Sequence, residues 1–215
     1  MMYRHIATSE AGFVQQLAVG YVNHGYWFYV TGCVPDHKQP DLIDQKLIEK
    51  YDIAVSKWTR ARRKRQGLAN VHYLRHAEFF VLIATKGTHR IFEEERTVIR
   101  DVRRQPIRFA GYSIGYKRGT DGKWHASVRI HPVEYKLLKD YCLELATRRS
   151  VIELAEEFQR LPFEPYAPVR RQLLCILRAV NKARTRAGFV AVDHAALRLR
   201  RRPAPPFATR QQRVA

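Results

Sequence analysis

The sequence predicts an α+β protein, with a mainly antiparallel sheet and flanking helices in the N-terminal part and a helical C-terminal part. Three observations carry this. Before residue 131, short runs of aromatic and β-branched residues alternate with stretches of helical period. At residues 109–130, two alternating segments flank an Asp-Gly pair, which is hairpin-turn chemistry. From Pro132 onward the strand pattern stops and three helical patterns follow. The expected organisation is a sheet-containing domain over 1–131, a helical subdomain over 132–194 and a basic Pro/Arg-rich tail over 195–215.

Each element has a local reason. Residues 9–24 place Phe13, Leu17 and Tyr21 on one helical face, with Ser9 as N-cap and Gly25 as stop. The run 26–34, YWFYVTGCV, suits a buried strand. From Asp41 a long helix is expected, with Leu42, Leu47, Ile48, Tyr51 and Val55 as its apolar stripe and Trp58 near its end. It runs into KWTRARRKRQG (57–67), whose six cations spread around the helix circumference, so this end is expected to project from the core until Gly67. Residues 71–87 read as two strands with a break near 76–78. Residues 93–106 read as a short helix or charged connection closed by Pro106. Then Tyr112, Ile114 and Tyr116 alternate, as do Trp124, Ala126, Val128 and Ile130, across RGTDG. Helices follow at 132–149, at 150–161 with a Ser150/Glu153 capping box, and at 169–188.

Composition narrows the function. The chain has 215 residues, with 46% hydrophobic residues, so a packed core is expected rather than disorder. No apolar run approaches a spanning helix, and no secretory signal pattern precedes the first element. Cys33, Cys142 and Cys175 are odd in number and far apart, which fits a reducing interior (cytoplasm, nucleoid or nucleus) better than a disulfide framework. Zinc-finger spacing, a phosphate loop, Gly-x-Ser-x-Gly and His-Glu-x-x-His are all absent. The net charge of +19 is the outlier. It points to an anionic partner, and nucleic acid is favoured over an acidic protein or a membrane surface.

Charge distribution supports that expectation. From Pro165 to Ala215 there are twelve Lys or Arg and one acid, Asp193. On the 169–188 helix, Val169, Leu173, Ile176 and Val180 share one face, and Arg171, Arg178, Lys182 and Arg186 share the opposite one. The expected nucleic-acid contacts are therefore Lys57, Arg60, Arg62, Arg63, Lys64 and Arg65, the hairpin's Lys117 and Arg118, Arg171, Arg178, Lys182 and Arg186, and the tail's Arg198, Arg200, Arg201 and Arg202. Tyr112, Tyr116 and Trp124 are expected on the packed face of the hairpin, with base stacking as the alternative if they are exposed. The tail from Ala195 is expected to be extended, with 198–207 an arm that orders on contact and a solubility tail or targeting signal as the alternative.

A catalytic alternative rests on three patches. YWFYVTG is a strand, RHAEFF offers His76 and Glu78 at i and i+2, and EYKLLK sets Tyr135 four residues before Lys139 on a helix. Together these resemble the replication initiators and single-strand transposases of the HUH class, with Glu78 where that class has its second histidine. The resemblance implies a divalent metal at His76 and Glu78 and a tyrosine nucleophile at Tyr135. Without it, no cofactor is expected.

Overall fold

In a computed structural model of the protein, residues 3–119 and 121–208 are described. They fold as two compact units that interleave along the chain. A sheet unit takes 3–107, 114–126 and 203–208, and a helical unit takes 108–113 and 127–202.

The sheet unit begins with Ser9, whose side chain caps α1 (Glu10–Gln15) by accepting from the Gly12 amide at 3.1 Å. The predicted helix is present but changes winding: a π-helical stretch (Gln16–Tyr21) and a 3₁₀ turn (Val22–His24) follow, and Gly25 ends it at φ +89°. Four strands form an antiparallel sheet: β1 (Tyr26–Cys33), β2 (Val71–His76), β3 (Phe79–Thr85) and β4 (Arg100–Asp101), in the order β2-β3-β1-β4. Residues 5–7 extend it beyond β2, through Ala7 N–H to Arg75 C=O (2.7 Å) and Arg75 N–H to His5 C=O (2.8 Å).

The pleat sorts the two faces. One face carries His72, His76 and Phe79 and is covered by the first helix, with Phe13 against both His76 and Phe79. The other carries Val30, Val71, Tyr73, Leu82 and Ala84, packed with Tyr51, Ile53 and Ile91.

The long helix expected from Asp41 is broken. The structure has α2 (Pro40–Lys50), a turn, and α3 (Lys57–Arg65) capped by Ser56. Tyr51 and Ile53 explain the break. Two residues apart on a continuous helix, they would point some 200° from one another. Both are fully buried, and the turn through Asp52 at φ +46° lets both insert. Leu42, assigned to the apolar stripe, is 62% exposed. Its place on the sheet side is taken by Asp44, which is buried. The Asp44 carboxylate accepts from Tyr73 Oη (2.6 Å), Arg75 Nε (2.8 Å) and Nη2 (2.8 Å), and lies 3.0 Å from His5 Nε2. Arg75 also donates to Ala77 C=O and Asp41. The connection over 93–106 contains the end of α4 (Ile91–Glu94) and then β4, which pairs with β1.

Three further strands, β5 (Ile107–Phe109), β6 (Tyr112–Arg118) and β7 (Trp124–Ile130), form a second sheet in the order β5-β6-β7. The hairpin β6–β7 was expected from its sequence, and Gly122 takes φ +74° in its turn. The helical unit then contains α5 (Pro132–Leu145), α6 (Val151–Arg160) with the predicted capping box, and α7 (Ala167–Arg186). Gln172 of α7 offers its side-chain amide to β7 as a strand would, accepting from Ile130 N–H (2.9 Å) and donating to Ile130 C=O (3.0 Å). An α+β class is thus observed, with helices dominating the C-terminal part. No helix among the described residues is long and apolar enough to cross a membrane.

Candidate nucleic-acid interface

Helix α7 is two-sided. Val169, Leu173, Ile176, Leu177 and Val180 are buried, while Arg171, Arg178, Lys182 and Arg186 are exposed. The exposed cations recur over fifteen residues, or about 22 Å at 1.5 Å rise per residue. None forms an ion pair among the described residues. Neighbouring helices show what an ordinary solvated face looks like. On α6 and in the turn that joins it to α5, Arg148, Arg149 and Arg160 each meet a helical glutamate four residues away, Glu144, Glu153 and Glu156, at 2.8–3.0 Å. On α7 that neutralisation is missing.

Helix α3 divides its cations. Lys57, Arg62, Lys64 and Arg65 are exposed and make no ion pair among the described residues. Arg60 and Arg63 are turned inward, contrary to the expectation that this segment projects with all its charges free. Arg60 donates through Nη1 to Val71 C=O (3.0 Å) and through Nη2 to Ile53 C=O. Arg63 pairs with Asp52. The physical reason is the broken helix. The turn at 51–56 exposes carbonyls that a continuous helix would have satisfied, and these two guanidinium groups occupy them. Beside the start of α3, Tyr3, Arg4, Ala54, Val55, Ser56, Lys57 and Trp58 line a cleft of about 630 Å³, and Trp58 is 85% exposed.

The tail departs from the free arm expected of it. Residues 198–202 lie extended on the helical unit, with Arg198 donating to Leu161 C=O and the Arg201 guanidinium 4.6 Å from the Tyr166 ring centre. Arg198, Arg200 and Arg202 alternate outward and, with Glu164 and Pro165, line a groove of about 480 Å³. Residues 203–208 join the sheet unit, where Ala204 N–H donates to Gln15 Oε1 (3.0 Å) and Thr8 N–H to Pro206 C=O (3.1 Å). Of the tail assigned from 195 onward, 209–215 lie outside the described residues. On the hairpin, Lys117 is exposed and Arg118 donates to Gly122 C=O (2.8 Å). Tyr112 is buried as expected, but Trp124 is 55% exposed, because the hairpin tip extends beyond its packed base.

The residues of the catalytic alternative are placed as follows. His76 ends β2 and pairs with Phe79 of β3, so Ala77 and Glu78 form the two-residue turn between the strands. Glu78 is therefore exposed in a turn and does not share a strand face with His76, which corrects the i, i+2 expectation. His76 Nδ1 lies 3.1 Å from Ala7 C=O. Tyr135 and Lys139 are half-buried on α5, in the helical unit, and burial raises the Tyr135 phenol, with Cys175 adding to the shift. Among the described residues, no group of three or more His, Cys, Asp or Glu is positioned to hold a metal ion.

The histidine with the strongest surroundings is His72. Tyr21 stacks on its ring at 4.5 Å, Tyr26 lies at 5.0 Å, and Tyr3 Oη sits 3.1 Å from Nδ1. Burial, and secondarily Arg60, push its pKa down to about 3. An unfolded histidine takes up a proton near pH ~6.5, so the unfolded chain binds more protons than the folded one below that value. The stability of the sheet unit should therefore fall as pH drops from about 6.5 towards 3, by up to ~1.4 kcal/mol per unit from this residue. Urea midpoints of the protein and of His72→Gln measured across that range check this, since the variant should lose that part of the slope.

No protein-family model, no curated protein and no solved structure matches this chain.

Proposed function

We propose that this protein binds nucleic acid, chiefly through the phosphate backbone, with α7 as the main contact surface. The observation that carries this reading is the row Arg171, Arg178, Lys182 and Arg186, exposed opposite a buried apolar face and without carboxylate partners among the described residues. A solvated helix would scatter both signs, as α5 and α6 do. Cations spaced one or two turns apart displace condensed counterions when they meet phosphates, and arginine forks add paired hydrogen bonds. Arg200 and Arg202 on the extended arm and Lys57, Arg62, Lys64 and Arg65 on α3 are secondary contacts. Arg60 and Arg63 contribute to folding instead.

The test is the salt dependence of binding. The protein should bind both a duplex and a single-stranded oligonucleotide, with log Kd rising linearly with log salt concentration. Replacing Arg171, Arg178, Lys182 and Arg186 together with alanine should reduce that slope by about 3–4 and weaken binding at low salt by several decades. An unchanged slope would end the α7 assignment. Failure to bind any nucleic acid at low salt would end the proposal.

A further inference from the structure

The sheet unit holds a second candidate surface, made of adjoining planar groups rather than a row of charges. The Arg103 guanidinium lies 4.5 Å from the Trp27 ring centre, Trp27 lies 5.5 Å from Tyr116, and Tyr116 stacks on Trp124 at 5.7 Å with 21° between planes. All four residues belong to the same unit. Two local devices produce the ladder. Between Tyr26 and Phe28, β1 slips register against β3, so that Trp27 is the extra residue of a bulge. The bulge sends Tyr26 to the His72 face and leaves Trp27 free to meet the hairpin. Asp101 grips Arg103 through Nε (2.9 Å) and Nη2 (2.7 Å), which holds the guanidinium flat.

The ladder ends in open space. Trp124 is 55% exposed, and Tyr116 is its ring partner among the described residues. Exposed cations accompany it: Lys117, Arg118 and Lys123 lie on the same hairpin, and Arg104 acts on the Asp101 carboxylate that holds Arg103. The nearby acids are already occupied, Asp121 by His125 at 2.8 Å and Asp101 by Arg103. An aromatic face bordered by unneutralised cations matches an unpaired nucleobase with its phosphates. A duplex hides its bases' faces and cannot use such a platform.

We infer that this ladder binds single-stranded nucleic acid by stacking a base on Trp124. The inference rests on the nucleic-acid reading above and adds the form of the substrate. The probes are fluorescein-labelled oligo(dT) and oligo(U) of 20 nucleotides and a 20-base-pair duplex, titrated by anisotropy against the full chain. Trp124→Ala should weaken both single strands about 5- to 150-fold, leave duplex binding unchanged, and leave the salt slope unchanged because no charge is removed. Trp124→Phe keeps an aromatic face and should restore most of the affinity, which separates stacking from a folding defect. The dT and U arms extend the test to a DNA and an RNA strand. Equal loss on single strands and duplex, or no loss on either, would overturn the stacking platform while leaving the α7 proposal standing. Absence of binding to all three probes at low salt would overturn both.

Discussion

Replacing Asp44 with alanine should destabilise the sheet unit by about 3–5 kcal/mol, a large part of the ~5–15 kcal/mol that holds a typical domain together. Asp44 is 2% exposed and Arg75 is 7% exposed. Removing the carboxylate leaves the buried guanidinium with only the exposed Asp41 as counter-charge and orphans the hydroxyl of Tyr73. The comparison that isolates the pair is a double-mutant cycle with Arg75→Met. Asp44→Ala alone should be far worse than the double variant, because the alanine–methionine pair carries no unpaired buried charge. Additive losses would show that packing, not charge pairing, dominates there. The pH dependence has a definite sign. Burial pushes the Asp44 carboxyl up, but hydrogen bonds from His5, Arg75 and Tyr73 outweigh it, and its pKa lies below the ordinary value. Its contribution is complete above the usual carboxylate pKa of about 4 and fades as pH falls through the depressed one.

Arg184→Ala should be the most damaging single change in the helical unit, at about 3 kcal/mol or more. Arg184 is 2% exposed, yet no carboxylate partners it among the described residues. Its partners are carbonyls: Val190 (2.7 Å), Ala146 (2.6 Å) and Arg149 (2.8 Å), with the Phe189 ring 5.5 Å away. Ala146 is the C-cap of α5, so the guanidinium sits where the helix leaves unpaired, partly negative oxygens. Alanine would strand three acceptors and open a cavity. Lysine would keep the charge but lose the fork, and should recover only part of the stability. Urea unfolding followed by circular dichroism measures both variants. A loss under 1 kcal/mol for alanine would mean that water replaces the guanidinium freely.

Asp44 and Arg184 also show where the sequence was hard to read. Asp44 precedes Leu47, Ile48 and Tyr51 by three, four and seven residues, and Arg184 follows Leu177 and Val180 by seven and four. Both stand on apolar stripes. Periodicity read through hydrophobic residues alone passes over such positions, although a lone charge on a buried stripe is itself the signal of an internal partner. By periodicity alone Leu42 belongs to the apolar stripe and Arg60 to the surface, whereas Leu42 is exposed and Arg60 turns inward.

What was legible had local causes. The hairpin turn, the Ser150 capping box and the two faces of α7 follow from residues within a few positions of one another. What was hidden depends on partners distant in sequence. The break before α3 is set by a sheet face that takes both Tyr51 and Ile53. The π-helical turn of the first helix lies where Tyr21 stacks on His72, fifty-one positions away. The ladder through Trp27 depends on a bulge that no dipeptide announces, and the overhang of Trp124 on how far the packed base of the hairpin extends. The turn at Ala77 and Glu78 is legible in the sequence, since the strand break falls at 76–78, and a turn there keeps His76 and Glu78 off a shared strand face.

The interleaving of the two units has a consequence for biosynthesis. Residues 203–208 lie along Thr8, Gly12 and Gln15, and a methyl group on Gly12 would come within 2.9 Å of Pro205 and Pro206. These contacts cannot form while the ribosome is still translating the helical unit. The nascent first helix therefore emerges with one flank uncovered, and a chain released before residue 203 would keep that flank open to chaperones and proteases.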